Sequence, residues 1–500
     1  MKSFRFLHAA DLHLDTPFSG MSGVPDRLRI FLRDSTFAAF ERLIRLAIAE
    51  AVDFVVLAGD IYDAADSSLR AQLRLREGWD KLGRHGIPVY LIRGNHDPLG
   101  SRRLRLELPP HVTEFGGQAE SRVAVRRSDG APVAVVSGIS YITPSVTENL
   151  ALRFRRDEAE ANSSQLYRIA LLHANVDGQE GHDAYAPCSL RELKESGYDY
   201  WALGHIHKRQ ILSENPWVVY PGNIQGRSLK ETGPKGCYIV DVHENGQASL
   251  AFHRLDQVLW REIAVPIDGL TSEEAWKDRV EEALEAVREA EAARISVVRL
   301  TFTGRGPLHT LLQSGQEAAE LLQELRRRES RLLEEGGLGI AQENAPFAAA
   351  DGSAEVGSGG TADDATGSAP GKTLSDAARN QGMTATDAAD DIAARAPLGG
   401  VVWPAGFKVE TSLEMDRLGL LEEDSFLGEL LRLGERAERE PGLLQDLTGS
   451  ALAPLAENRT LRRLLKELAP EERLGLLRRA EELAWALLAE DETAGGRGAS

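Results

Sequence analysis

Phe4-Arg5-Phe6-Leu7-His8-Ala9-Ala10-Asp11-Leu12-His13-Leu14-Asp15 opens the chain with a β-rich apolar run that stops on metal-type side chains. The arrangement recurs. Phe54 to Ala58 leads into Gly59-Asp60, Val89 to Ile92 into Gly94-Asn95-His96-Asp97, Ile169 to Leu172 into His173, and Trp201 to Leu203 into Gly204-His205-Ile206-His207. Each run reads as a buried strand, as do Val133 to Val136 and Trp217 to Tyr220. Between the first two, Phe37, Phe40, Leu43, Ile44, Ala47 and Ile48 recur at helical spacing and offer one apolar face to a sheet. Short strands alternating with longer helical patterns predict an α/β layered fold. Open α/β sheets bind ligands beyond the carboxyl ends of parallel strands, where side chains leave the core and converge on one crevice.

Asp11, His13, Asp60, Asn95, His173, His205 and His207 supply seven oxygen or nitrogen donors, with His96 to spare. Two cations about 3.5–4 Å apart need one shared carboxylate and separate ligands on either side. Asp60 is the natural bridge. Asp11, His13 and His207 are assigned to one ion, and Asn95, His173 and His205 to the other. In Asp11-Leu12-His13 and His205-Ile206-His207, extended backbone would point residues two apart to one side and turn Leu12 and Ile206 toward the core. Glycines before Asp60, Asn95 and His205 permit tight turns and close backbone approach.

Imidazole, carboxylate and amide donors without thiolate suit manganese, iron or zinc better than calcium or magnesium, and manganese is the first choice. The expected chemistry is in-line hydrolysis of a phosphoester. His96 is the candidate for stabilising the transition state or protonating the leaving oxygen, with Asp97 or Asp63 orienting it or its neighbours. Taken singly, Asp-x-His or Gly-Asp is more often a turn or a helix cap. Turns require none of these histidines, so their ordered return after five strands points to a site. His8 reads as a core residue, and His182, in the Gly181-His182-Asp183 loop, as a candidate to touch substrate.

A chain of 500 residues exceeds what one core usually serves, so two or more domains are expected. The net charge of -19 is unevenly placed: residues 1–256 carry 31 Lys+Arg against 32 Asp+Glu, leaving 27 of the chain's 58 against 45 of its 77 for the remainder. A nearly neutral first half keeps a polyanionic substrate open. Arg102, Arg103 and Arg105, then Arg126 and Arg127, then Arg153, Arg155 and Arg156 form clusters that either meet phosphates or make a solvated face. Cys188 and Cys237 form no C-x-x-C pair and suit a reducing compartment as structural residues. With no leader peptide and no apolar run of about 18 residues, a cytoplasmic protein with no membrane contact is expected.

The alternation continues to about residue 257, giving a first domain over 1–257. A strand from Trp260, a helix near 272–293, a strand at Ile295 to Phe302 and an amphipathic helix from Pro307 to Leu333 predict a small α/β domain over 258–340. A strand at Val401 to Val409 rejoins it, adding 400–411. Residues 341–399 between them, rich in Ala, Gly, Ser, Thr and Asp, have too little apolar surface to offset ordering entropy and read as a disordered insertion. Leu461, Leu464, Leu465 and Leu468 share one helical face within a helical partner-binding region over 412–490, and 491–500 reads as a disordered tail.

The order Asp11-x-His13, Gly59-Asp60, Gly94-Asn95-His96-Asp97, His173, Gly204-His205-x-His207 resembles the calcineurin-like metallophosphoesterase superfamily. Within it, Asp11-Leu12-His13-Leu14-Asp15, His173-Ala174-Asn175-Val176 and Tyr220-Pro221-Gly222-Asn223-Ile224-Gln225-Gly226-Arg227 look like the bacterial YhaO branch of SbcD-type DNA repair exonucleases. The resemblance covers about residues 1 to 260. It implies a layered metallophosphoesterase β-sandwich flanked by helices, a small α/β cap domain, and a helical C-terminal region that docks on the coiled coil of an SMC-like ATPase. It also implies dimerisation, the seven metal ligands named above and a catalytic role for His96. Asn223 and Arg227, in the last quoted segment, join His182 as candidate substrate contacts. The implied function is a metal-dependent DNA nuclease, an exonuclease in repair. The alternatives are a small-molecule phosphodiesterase or phosphatase, and a non-catalytic scaffold for the ATPase.

Overall fold

Strands β1 (Phe4–Ala9), β2 (Phe54–Ala58), β3 (Val89–Ile92) and β4 (Val112–Glu114) run parallel, with α1 (Asp26–Ala49) and α2 (Leu69–Arg84) in the first two connections. Ser68 starts α2 as an N-cap, its side chain accepting from Ala71 N. The chain then builds β5 (Glu120–Val125), β6 (Pro132–Gly138), β7 (Tyr167–His173), α3 (Leu190–Glu195), β8 (Tyr200–Gly204), β9 (Gln210–Glu214) and β10 (Trp217–Tyr220). It returns to the first sheet with β11 (Gly236–Val242) and β12 (Ala248–Arg254). Two six-stranded sheets result, ordered β12-β11-β1-β2-β3-β4 and β5-β6-β7-β8-β10-β9. The computed structural model describes residues 1–16, 18, 23–63, 68–101, 107–154, 166–178, 185–334, 400–413, 417–453, 469, 472–481 and 483–484.

Strand alternation divides the apolar side chains among three cores. Phe6, Phe54 and Val56 meet Ile169, Tyr200 and Ala202 in the core between the sheets. Leu7, Ala9, Val55 and Leu57 turn the opposite way, under Leu43 and Ile44 of α1 and Trp79 of α2. Leu172, Trp201 and Leu203 meet Leu193 of α3 on the outer face of the second sheet. Strands covered on both faces lose polar alternation, which is why the sequence shows them as unbroken apolar runs. Burial of each such Leu, Ile or Phe contributes about 1.5–3 kcal/mol. Phe6 and Phe54, opposite each other in the β1–β2 register, stack at 5.3 Å.

All seven strands expected in this half form. The five that sequence periodicity did not single out are β4, β5, β9, β11 and β12. β4, β5, β9 and β12 are short or half-exposed and lie at or near sheet edges, where no second apolar face exists to mark them.

Beyond residue 257, β13 (Val258–Pro266), β14 (Ile295–Arg305) and β15 (Val402–Ser412) form a three-stranded sheet in that order, with α4 (Glu273–Ala290) between the first two. The helix expected from Pro307 to Leu333 is two helices, α5 (Leu308–Ser314) and α6 (Gln316–Glu334). Gly315, at φ 71°, separates them as a left-handed C-cap.

The chain divides into two compact units, Met1–Arg261 with Arg288–Val298 and Arg328–Trp403, and Glu262–Val287 with Arg299–Arg327 and Pro404–Ser500. In the second, Trp276 packs edge-on against Phe302 and Phe302 against Phe407, with centroids 5.3 and 5.1 Å apart. Helices at Arg417–Glu422, Phe426–Arg439 and Pro441–Leu452 follow, the middle one burying Leu427, Leu431 and Ala437. The expected insertion over 341–399, the tail over 491–500 and Leu461, Leu464, Leu465 and Leu468 lie outside the described residues. No described helix is long and apolar enough to cross a membrane.

His8 is wholly buried in β1, its Nδ1 2.9 Å from the Tyr200 hydroxyl, and burial pushes the imidazole down from 6.5 to about 3. The folded chain therefore keeps His8 neutral where the unfolded chain protonates it. Its contribution is intact above pH 6.5 and is lost progressively as pH falls toward about 3. His8→Gln, which cannot take up that proton, is expected to flatten the decline of Tm below pH 6.5 relative to the parent. Parallel Tm profiles for the two proteins would contradict this assignment.

Candidate metal centre

The loops after β1, β2, β3, β7 and β8 meet at one end of the sandwich. Parallel pairing of β1 with β2, β2 with β3, and β7 with β8 sets their carboxyl ends side by side, and the shared core brings the two sheets together. Asp11 N donates to Gly59 O and His13 N to Asp60 O, each at 3.1 Å, stitching the first loop to the second. His205 N donates to Asp11 Oδ1 at 3.0 Å, joining the sheets.

Asp11, His13, Asp60 and His205 take positive φ values of 52°, 41°, 50° and 95°. Left-handed backbone costs an L-residue about 1–2 kcal/mol, and such strain gathers at functional sites whose surroundings over-determine it. The extended alternation expected of Asp11-Leu12-His13 is thus replaced by left-handed turns, because the bonds to Gly59 and Asp60 curl the loop inward. Leu12 and Ile206 enter apolar cores as expected. Close approach explains two of the glycines: a Cβ on Gly94 would strike the Asp60 carboxylate and the His173 ring, and one on Gly204 would strike the Ala58 carbonyl.

Six of the seven expected donors come together, with the ring of the seventh, His205, beside them. His13 Nε2 lies 3.1 Å from His207 Nε2 and 3.7 Å from Asp60 Oδ2. His173 Nε2 lies 3.3 Å from the same Asp60 Oδ2 and 2.9 Å from Asn95 Oδ1. The His205 ring sits 5.3 Å from that of His173, centroid to centroid. Asp11, His13 and His207 offer ligand atoms within 4.8 Å of one another, and so do Asp11, Asp60 and His173. A third set, His13, Asp63 and His96, is as close, and hydrogen bonding accounts for it: both Nδ1 atoms face Asp63 Oδ1, at 2.7 and 2.8 Å.

The outer nitrogens test whether divalent cations fit. Three of these imidazoles hold Nδ1 against a fixed acceptor: His13 on Asp63 at 2.7 Å, His207 on Glu231 at 2.7 Å, and His173 on the Ala58 carbonyl at 2.9 Å. A proton held there leaves the Nε2 lone pair facing the pocket, which is how metal-binding histidines are oriented. Three such lone pairs beside two buried carboxylates and an amide oxygen make a donor set suited to divalent ions.

Burial pushes the Asp11 carboxyl up. Burial works the same way on Asp60, but the charge and hydrogen bond of His173, with His13 and His96, hold it well below the carboxylate range. Burial opposes charge on His173 too, yet Asp60 and Asp11 push it up to about 9. The hydrogen bond to Asp63 raises His96, whose ring stays 45% exposed. Opposed shifts among converging groups are common at functional sites.

Of the two carboxylates expected near His96, Asp63 orients it. Asp97 instead accepts from Gly94 N, Ile61 N and Arg93 Nη1 at 2.8, 3.0 and 3.0 Å, shaping the loop beneath. Sequence reasoning missed Glu231 and also Thr16, whose hydroxyl donates to Asp63 Oδ2 at 2.6 Å. Neither follows a strand directly, and a lone Glu or Thr in a loop carries no pattern.

Asn223 is buried and spends its amide on Gln225 O and Glu231 Oε2. The Arg227 guanidinium stands between Asp63 and Glu231. His182 lies outside the described residues, as do Arg102, Arg103, Arg105, Arg155 and Arg156. Arg126 pairs with Asp129, Arg127 donates to the carbonyls of His85 and Ala51, and Arg153 pairs with Glu148. Both cysteines are free and buried, and burial pushes the Cys188 thiol up to about 12, which makes it a poor nucleophile.

Residues 4–209 match the calcineurin-like phosphoesterase family, and residues 260–340 match the middle domain of metallophosphoesterase YhaO. The chain is 41% identical over 333 residues to metallophosphoesterase YhaO of Bacillus subtilis (strain 168), covering 66% of this chain and 79% of that one. It is 27% identical over 296 residues to DNA double-strand break repair protein Mre11 of Thermoplasma acidophilum, covering 55% and 73%. To a component of the SbcCD nuclease of Escherichia coli (strain K12) it is 26% identical over 275 residues, covering 49% and 66%. The family generally uses a dimetal centre, and the donor cluster lies within the matched loops. The chain therefore belongs to the calcineurin-like metallophosphoesterases and is a homologue of YhaO.

Proposed function

We propose that this chain is a metal-dependent DNA nuclease, an exonuclease of DNA repair that hydrolyses phosphodiester bonds in the pocket beyond β1, β2, β3, β7 and β8. The convergence of Asp11, His13, Asn95, His173 and His207 around the buried Asp60 carboxylate, with the His205 ring beside His173, carries the reading. In it, Asp11, His13 and His207 would hold one divalent cation and Asn95, His173 and His205 a second, with Asp60 available to both. Such a pair of cations stabilises charge on the phosphoryl oxygens and acidifies the attacking water. Manganese is the proposed ion on donor chemistry, with iron or zinc next.

The chain's own groups do the positioning. Asp63 and Glu231 fix the tautomers of His13 and His207, and the buried walls exclude bulk water from Asp11, Asp60 and His173. His96, anchored by its Nδ1 to Asp63, presents Nε2 at the half-exposed mouth, where it donates a proton to the phosphoryl or leaving oxygen. DNA as substrate is supported by the repair and nuclease functions in the names of the Mre11 and SbcCD relatives. One observation favours a small-molecule phosphodiesterase or phosphatase instead: Arg126, Arg127 and Arg153 are all committed to partners within the chain. Residues 412–490, expected from sequence to be helical, are proposed to dock on an SMC-like ATPase, a role supported by Phe426 and Leu483 standing 69% and 61% exposed.

Manganese-loaded protein is expected to cleave labelled single- or double-stranded DNA as well as bis(p-nitrophenyl) phosphate. Cleavage of the diester alone would remove the nuclease reading. Asp60→Asn is expected to lower bound manganese and activity together, while His96→Asn keeps the metal and loses roughly 10²–10⁴-fold in kcat. Unchanged kcat in both variants would leave only the scaffold. Deleting 412–490 is expected to abolish co-purification with the ATPase while sparing diester hydrolysis, and retained co-purification would refute the docking role.

A further inference from the structure

Asp11, Asp60, Asp63 and Glu231 bring four carboxylates to the pocket. Two divalent cations would balance them, leaving the positive charge of Arg227 in surplus. Its guanidinium lies against the carboxylate that carries His96, with Nη1 3.6 Å from Asp63 Oδ2 and Nη2 3.3 Å from Glu231 Oε1. Both contacts are loose. Asp63 already receives His13, His96 and Thr16, and Glu231 receives His207, the Asn223 amide and the backbone N of Arg227 itself. The Arg227 side chain is only 16% exposed, yet its Nε is buried with no partner.

An arginine presents five N–H donors in a rigid fork that matches two phosphate oxygens. Buried polar groups are normally satisfied, so an idle buried donor on a loosely held cation leaves room in its hydrogen bonding for an acceptor that arrives with a ligand. The backbone beside Arg227 is held where Trp260 Nε1 donates to Gly226 O at 2.7 Å. We propose that Arg227 binds the phosphoryl group of a singly charged phosphodiester from the His96 side of the pocket. It is then a specificity-determining residue that stands beside Glu231. This rests on the two-metal reading of the site and is independent of whether the diester is DNA.

Inorganic phosphate is the probe, titrated calorimetrically into manganese-loaded parent, Arg227→Gln and Arg227→Lys proteins whose metal content is measured. Arg227→Gln is expected to keep its manganese, bind phosphate roughly 10- to 100-fold more weakly and raise KM for bis(p-nitrophenyl) phosphate. Arg227→Lys, which retains charge without the fork, is expected to fall between the two. Parental phosphate affinity in a metal-replete Arg227→Gln overturns the proposal, and so does a parent that binds no phosphate. Should Arg227→Gln lose metal or fail to fold, Arg227→Lys decides: weaker binding sustains the role, and parental binding overturns it. A parent that binds phosphate but cuts no DNA removes the nuclease reading and leaves the Arg227 comparison standing.

Discussion

Asp11, Asp60 and His173 sit entirely out of water, at the end of the core that joins the two sheets. Removing ions from water costs several kcal/mol each unless partners replace the lost hydration. The surrounding structure answers that demand. His205 N and His96 N donate to Asp11 and Asp60, His173 lies against Asp60, and the backbone accepts left-handed conformations to bring those groups into range. The carboxylates still outnumber the compensating charges close to them, so divalent cations are the natural complement.

The sandwich makes this burial attainable. One sheet alone could deliver Asp11, His13, Asp60 and Asn95 from the ends of β1, β2 and β3, but His173, His205 and His207 arrive from β7 and β8 of the other. The aromatic and aliphatic layer between the sheets, with Phe6, Phe54 and Tyr200 in contact, sets the spacing at which the two groups of loops meet. The geometry at the rim therefore depends on packing beneath it, and any change that shears one sheet against the other moves four candidate ligands relative to three.

A second ring of residues decides how the first behaves. Asp63, Glu231 and the Ala58 carbonyl each take an imidazole Nδ1, which fixes the face shown to the pocket. Asp63 does this for a proposed ligand and for the proposed acid at once, so the positions of His13 and His96 are coupled through one carboxylate. Glu231 likewise links His207 to Arg227. Asp63 and Glu231 thus align the imidazoles beside them.

The donor set was legible in the chain itself, because a buried parallel strand declares itself as an apolar run and whatever stands at its carboxyl end must leave the sheet. Asp11, Asp60, Asn95, His173 and His205 could be read that way one strand at a time. What tertiary structure alone decided was everything that depends on two distant loops facing each other. Asp63 rather than Asp97 receives His96, Glu231 receives His207, Arg126 and Arg153 are spent on nearby acids, and Arg227 is left with an idle donor. Periodicity and strand endings are local properties, carried by neighbours in sequence. A hydrogen bond between residues 24 or 50 positions apart, such as His207 with Glu231 or His13 with Asp63, exists only once the sheets have packed.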